Sequence, residues 1–156
     1  MQKKYLTKEQ ALQKLRQYCA YQERSHYEVQ QKLWELGIPK SSHDEILSQL
    51  VEENYLNEER FAIQFAGGKF RMMEWGRKKI QYALKEKKVS DYSIKKALQE
   101  INEEDYLKTL NDVASKKWES LKGEDHLSRK RKTTDYLMQK GFEYDLVKGV
   151  LKGLEE

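Results

Sequence analysis

One block of spaced apolar residues recurs three times along this chain, about 50 residues apart, and it limits the fold more than any other feature. Val29-Leu33-Gly37-Ile38 is answered by Ile80-Leu84-Lys88-Val89 and again by Thr133-Leu137-Gly141-Phe142. Each copy reads apolar, three residues, apolar, three residues, turn, apolar. That is the spacing of a short helix with one buried stripe and a tight stop. A second pair of anchors follows each block: Ile46/Leu50, Ile94/Leu98 and Val147/Leu151. Self-similarity at this period marks stacked units too small to cover their own apolar faces, so that neighbours complete the core. The first copy has extra residues after Ile38, and Thr133 departs from the apolar pattern, which makes the third copy the weakest.

The segments between the blocks complete each unit. Ala11, Leu12, Leu15, Tyr18 and Cys19 share one helical face, predicting a helix over 7–22 with Thr7 as N-cap and Gln10 as its capping-box partner. Ser25 and Glu28 repeat that start signal, and Gly37 supplies a left-handed stop. After Pro39, Ser42 begins a third helix with Ile46, Leu47, Leu50 and Val51 inward and Asn54 at its end. In the second round Asn57 caps a helix carrying Phe61, Ala62, Phe65 and Ala66, Trp75-Gly76 breaks the chain, and Ser90 caps Ile94, Ala97, Leu98 and Ile101. The third round has Tyr106, Leu110, Val113 and Ala114, a break near Gly123, and then Leu137, Leu146, Val147, Val150 and Leu151. No strand-like alternation persists. The expected fold is all-α, a tandem array of three three-helix repeats at 1–54, 55–102 and 103–156. With 36% charged and 38% hydrophobic residues, the apolar supply suits several small cores in an elongated molecule better than one large core. Seventeen aromatic residues (10 Tyr, 4 Phe, 3 Trp) argue against disorder.

Several function classes find no support. Cys19 is the only cysteine, so no disulfide closes within the chain, and its place on the first apolar stripe reads as a buried small side chain. The N-terminal stretch MQKKYLTKEQALQKL lacks the apolar centre of a signal peptide, and no apolar run approaches the ~20 residues needed to cross a bilayer. The expectation is a cytoplasmic, monomeric protein. His26, His43 and His126 are isolated, so no metal site is expected. No phosphate loop or nucleophile elbow is present, so neither a cofactor nor catalysis is expected. Glu58-Glu59 and Glu103-Glu104-Asp105 start helices, where carboxylates favour the positive end of the dipole.

The basic residues are the best functional signal. Net charge is only +4, but it is sorted: 67–88 carries eight basic residues against two acidic, and 43–60 carries one against six. Arg77, Lys78 and Lys79 fall at a helix start, where cations oppose the dipole and free N–H groups favour an anion. Lys69 and Arg71 precede them and Lys85 extends the patch. The run Arg129, Lys130, Arg131 and Lys132 occupies the matching position of the third repeat, and Arg24 stands alone in the first. These residues are candidates for a phosphate or acidic partner. Trp75 either stacks on a base or packs between helices. Gly67-Gly68 lies inside a helical stretch, at about 0.5–1 kcal/mol per glycine relative to alanine. It marks either a close helix approach or a bend.

Tyr55-Leu56-Asn57-Glu58-Glu59-Arg60-Phe61-Ala62, followed by Lys69-Phe70-Arg71, Trp75-Gly76, Ile80, Ala83-Leu84 and Val89, resembles the central signature of the RecX family. Arg24-Ser25 with Glu28-Val29, Leu33 and Gly37 resembles that family's first-unit motif. Asn57-Glu58 stands where many members carry two Asp, and Glu74-Trp75-Gly76 replaces a common Lys-x-Gly turn. The resemblance implies tandem three-helix repeats in a curved molecule. It also implies a non-enzymatic regulator of homologous recombination and DNA repair. Such a regulator binds along the groove of a RecA–single-stranded DNA filament, weakening ATP hydrolysis and strand exchange. Two other readings stay open: a stand-alone helix-turn-helix-like module on duplex DNA, and a helical adaptor that touches no nucleic acid.

Overall fold

The computed structural model describes residues 6–156, so the start of the first repeat and part of the leader reading, on residues 1–5, lie outside it. Among the described residues the chain forms nine α-helices and no strand. They are α1 (Lys8–Tyr21), α2 (His26–Glu35), α3 (His43–Glu52), α4 (Glu58–Met73), α5 (Arg77–Glu86), α6 (Asp91–Gln99), α7 (Glu103–Ser120), α8 (His126–Gln139) and α9 (Tyr144–Glu155). One turn of 3₁₀ helix, Lys40–Ser42, leads into α3. No helix among the described residues is long and apolar enough to cross a membrane.

Local chemistry sets the helix ends. Thr7 and Gln10 bond reciprocally to each other's backbone N–H, and Ser25 and Glu28 do the same at α2. The Arg60 N–H donates to Asn57 Oδ1 at 2.9 Å. Asn102 and Asp125 accept from the third residues of α7 and α8. Ser42 flanks α3, but its hydroxyl makes no capping bond.

The repeat is physical as well as textual. Gly37, Lys88 and Gly141 all adopt positive φ (75°, 61° and 96°). In each turn the residue after them donates back to the preceding helix, Ile38 to Leu33, Val89 to Leu84 and Phe142 to Leu137, at 3.1–3.2 Å. The same Schellman stop therefore closes α2, α5 and α8. Thr133, the misfit of the third copy, is fully buried, and its hydroxyl donates to the Arg129 carbonyl at 2.8 Å. A methyl faces the core while the polar atom is satisfied one turn back.

Packing divides the chain into two compact units. One comprises residues up to Gln64 together with Leu84–Lys96; the other comprises Phe65–Ala83 and Ala97–Glu156. The core of the first is built from Ala11, Leu12, Leu15, Val29, Leu33, Ile46 and Leu50, with Cys19 and Leu56 beside them. Val51, expected inward, is 46% exposed. It lies one residue beyond Leu50, and a helix turns about 100° per residue, away from the Ile46–Leu50 stripe. In this unit Glu58 accepts from the Ser90 N–H and from both the Ser90 and Ser93 hydroxyls, so a carboxylate on α4 caps α6.

The second unit is organised around aromatic rings. Tyr106 is fully buried, its ring 5.7 Å from Phe70 and 5.5 Å from Phe142. Ile80, Leu110, Leu137 and Val147 complete the core around it. Gly76 is the closest backbone approach. A Cβ there would lie well under 3.0 Å from backbone atoms of Gly141 and Phe142. Gly67 and Gly68 sit within an unbroken α4, and a Cβ on Gly68 would meet nothing within 4 Å. Neither marks a close helix approach.

Candidate functional site

Three of the candidate arginines are held by the fold. Arg24 stacks 3.7 Å over the Tyr18 ring, and its Nε donates to the Tyr18 carbonyl at 3.0 Å. Arg129 does the same to Trp118, 4.0 Å over the ring with Nε donating to the Trp118 carbonyl at 2.9 Å. Both reach from the start of a repeat's second helix to the end of the helix before it. Planar guanidinium stacking and a carbonyl bond together make a clamp that lysine could not copy.

Arg77 is bound more tightly still. Its guanidinium lies 3.8 Å over Tyr106, donates to Glu143 at 2.7 Å and pairs with Glu103. Its backbone N–H donates to the Tyr106 hydroxyl, which in turn donates to Glu143. Burial opposes the charge on Arg77, but the two carboxylates outweigh it and raise its pKa. Burial, reinforced by Glu143, pushes the Tyr106 hydroxyl well above the ordinary tyrosine range.

The helix start at Arg77 is not an open anion cradle. The Gly76 N–H donates to the Lys140 carbonyl at 2.7 Å and the Lys78 N–H to the Gly141 carbonyl at 2.9 Å. With the Arg77 N–H on Tyr106, these three amides are consumed inside the fold. The reason is steric: two glycines let the α5 start and the α8 stop meet backbone to backbone.

The lysines are arranged differently. Lys69 and Lys79 place their ammonium groups 5.0 Å and 4.6 Å from the centre of the Trp75 ring. Trp75 is half-buried between them, and Arg71 and Lys78, both exposed, lie close by in the chain. Lys140, which the sequence patterns did not single out, donates to the Met73 carbonyl at 2.8 Å and brings another cation to the end of α4. No local spacing could have revealed that neighbour, 67 residues from Met73. Lys85 is exposed two turns further along α5. On α8 the four consecutive cations fan around the helix. Arg129 faces Trp118, Lys130 pairs with Glu155 at 3.4 Å and Lys132 pairs with Glu124. Arg131 is exposed without an ion pair among the described residues.

Chemically, an indole flanked by two ammonium groups is a stacking platform with anion partners on either side. Among the described residues no three His, Cys, Asp or Glu side chains assemble a metal site. Cys19 is buried, and desolvation pushes its thiol up to about 11. That disfavours the thiolate a nucleophile needs.

Fold and site together define an all-α array of three-helix units carrying a cationic, aromatic surface cluster. The family model for the second three-helix domain of RecX matches residues 57–98, and that for the third matches 103–151. The protein belongs to the RecX family. It is 33% identical to a protein named Regulatory protein RecX from Clostridium perfringens (strain 13 / Type A), over 81% of this chain and 60% of that one. It is 29% identical to the Chlorobium limicola protein of the same name, over 83% and 80%. It is 28% identical to that of Bacillus cytotoxicus, over 89% and 52%. The chain thus spans about half to three-fifths of two of these curated relatives. A crystal structure of RecX from Lactobacillus salivarius shares the fold, with a TM-score of 0.86 and 22% identity over 95% of this chain and 96% of that one.

Proposed function

We propose that this protein is a non-enzymatic cytoplasmic regulator of homologous recombination. It binds the RecA–single-stranded DNA filament and lowers its ATPase and strand-exchange activity. The observation that carries this reading is the Lys69–Trp75–Lys79 cluster in a chain of the RecX family. A base or a flat partner group stacks on Trp75 while phosphates or acidic side chains meet the flanking ammonium groups. Arg71 and Lys78 extend the cationic surface, Arg131 with its neighbours Lys130 and Lys132 supplies a further contact, and Lys85 supplies a separate one from the first unit. Arg77 and Arg129 act by holding helices that display these cations, and Arg24 holds α2 against α1 in the first unit. The three repeats, 1–54, 55–102 and 103–156, are the units that meet the filament, and the protein acts as a monomer.

Titration into a RecA–single-stranded DNA ATPase assay tests the proposal. Saturable inhibition is expected. No inhibition at several-fold excess over filament subunits refutes it. Protection of one defined duplex sequence, with no effect on the filament, would instead establish a helix-turn-helix-like DNA reader.

A further inference from the structure

A groove of 190 Å³ opens between α8 and α9 inside the second unit, away in sequence from the Trp75 cluster. Tyr144, 55% exposed, forms its apolar side, with the core residues Val147 and Leu151 beneath it. They lie at i, i+3 and i+7 of α9 and so on one face. Lys130 of α8 and Lys148 and Lys152 of α9 ring the edge. Glu155 is the one carboxylate lining it, and it is engaged at one end by Lys130 at 3.4 Å and His126 at 3.2 Å. Lys148 and Lys152 make no ion pair among the described residues. Two like charges four residues apart on a helix repel, and the third faces them across the groove. Lys130 is offset by Glu155 and Lys152 by the C-terminal end of the α9 dipole, which leaves Lys148 as the charge with no compensating partner.

Size narrows the occupant. An apolar cavity of about 150 Å³ holds a benzene-sized group, so this one admits a single large side chain. From Tyr144 to Glu155 the helix rises roughly 16 Å, the reach of about five extended residues. The lysine stems add methylene walls to the apolar side. A sugar–phosphate backbone would satisfy the ammonium groups but leave the apolar side empty. A carboxylate-rich segment with one apolar side chain satisfies both.

We propose that the α8–α9 groove is a docking site for an acidic segment of a protein partner, which inserts one apolar side chain between Lys130, Lys148 and Lys152. This goes beyond the recombination reading and does not depend on it. The probe is a fluorescein-labelled peptide of aspartate and glutamate around one central phenylalanine, read by anisotropy on the full chain at roughly 0.05 M and 0.5 M salt. The expected result is saturable binding, weakened by salt and about tenfold or more weaker, some 1.4 kcal/mol, for Lys148→Gln/Lys152→Gln. Changing the peptide's phenylalanine to serine gives a similar drop in affinity. The double variant relieves repulsion but removes a helix-end cation, effects of similar size, so its thermal midpoint holds, which separates docking from folding. No saturable binding overturns the proposal, as does equal binding by the double variant or by the serine peptide. An oligothymidine that displaces the peptide in a Lys148- and Lys152-dependent way overturns it in favour of nucleic acid. Concentration-dependent self-association that disappears in the same variant overturns it in favour of a second copy of this chain.

Discussion

Replacing Gly76 by alanine probes the contact that organises the second unit. The added methyl would lie well under 3.0 Å from the Gly141 carbonyl and the Phe142 nitrogen, all backbone atoms with no rotamer to yield. The start of α5 must therefore move. Two hydrogen bonds cross that seam, Gly76 N–H to Lys140 and Lys78 N–H to Gly141, at 2.7 and 2.9 Å. Each contributes about 0.5–1.5 kcal/mol, and a buried donor left unpaired costs about 1–3 kcal/mol. The same shift loosens the Arg77 N–H bond to Tyr106. The sum is a loss of about 3–5 kcal/mol, in the range reserved for broken buried networks. Gly68→Ala is the control. It lies in α4 with open space around it, so a gain of about 0.5–1 kcal/mol is expected from helix propensity. Urea unfolding followed by tryptophan fluorescence reads both, since Trp75 and Trp118 belong to this unit. A Gly76→Ala protein within about 1 kcal/mol of the parent would refute the reasoning, because that margin is smaller than one broken seam bond plus its unpaired donor.

Three further outcomes are expected. Lys88 holds the left-handed position that glycine fills in the other two turns. Lys88→Gly therefore removes about 1–2 kcal/mol of strain against about 0.5–1 kcal/mol of glycine entropy, and thermal unfolding should move upward; a fall would contradict this. Burial pushes the Glu58 carboxyl up, but the bonds from Ser90 and Ser93 outweigh it and hold the group below its ordinary 4.5. Its contribution is complete above that value and is lost as pH falls through the lower folded value. The stability gap between the parent and Ser90→Ala/Ser93→Ala should thus narrow below pH 4.5, and a gap that stays constant from neutral to acid pH would contradict it. Cys19, buried with its thiol raised to about 11, should react with Ellman's reagent only as fast as the protein opens. A rate matching that of the urea-unfolded chain would refute its burial.

Much of the architecture is legible in the residues. Caps such as Thr7 and Ser25 and stops such as Gly37 and Gly141 are local chemistry, so their positions can be read directly. Lys88 is legible by register alone, since nothing in a lysine announces positive φ. Val51 misleads because an apolar residue beside a buried one looks inward until the helix rotation is applied. The candidate site is less legible. Consecutive cations in a chain are not neighbours in space on a helix, which is why Arg129–Lys132 fan apart while Lys69 and Lys79, ten residues apart, share one ring. Arg24, Arg77 and Arg129 read as free charge because their partners are carbonyls, rings and the distant Glu143. Lys148 and Lys152 look like solvated faces, since their meaning depends on Lys130 from another helix.

Co-sedimentation with RecA filaments formed on single-stranded DNA tests the central claim most directly, comparing the parent with Lys69→Gln/Lys79→Gln across a salt series. The parent should pellet with the filament and lose affinity as salt rises. The double variant, with an unchanged melting temperature, should bind about tenfold or more weaker and with a shallower salt slope, by about 0.7 for each phosphate it no longer neutralises. A parent protein that stays in the supernatant, or a double variant that pellets equally well with the same salt slope, would contradict it.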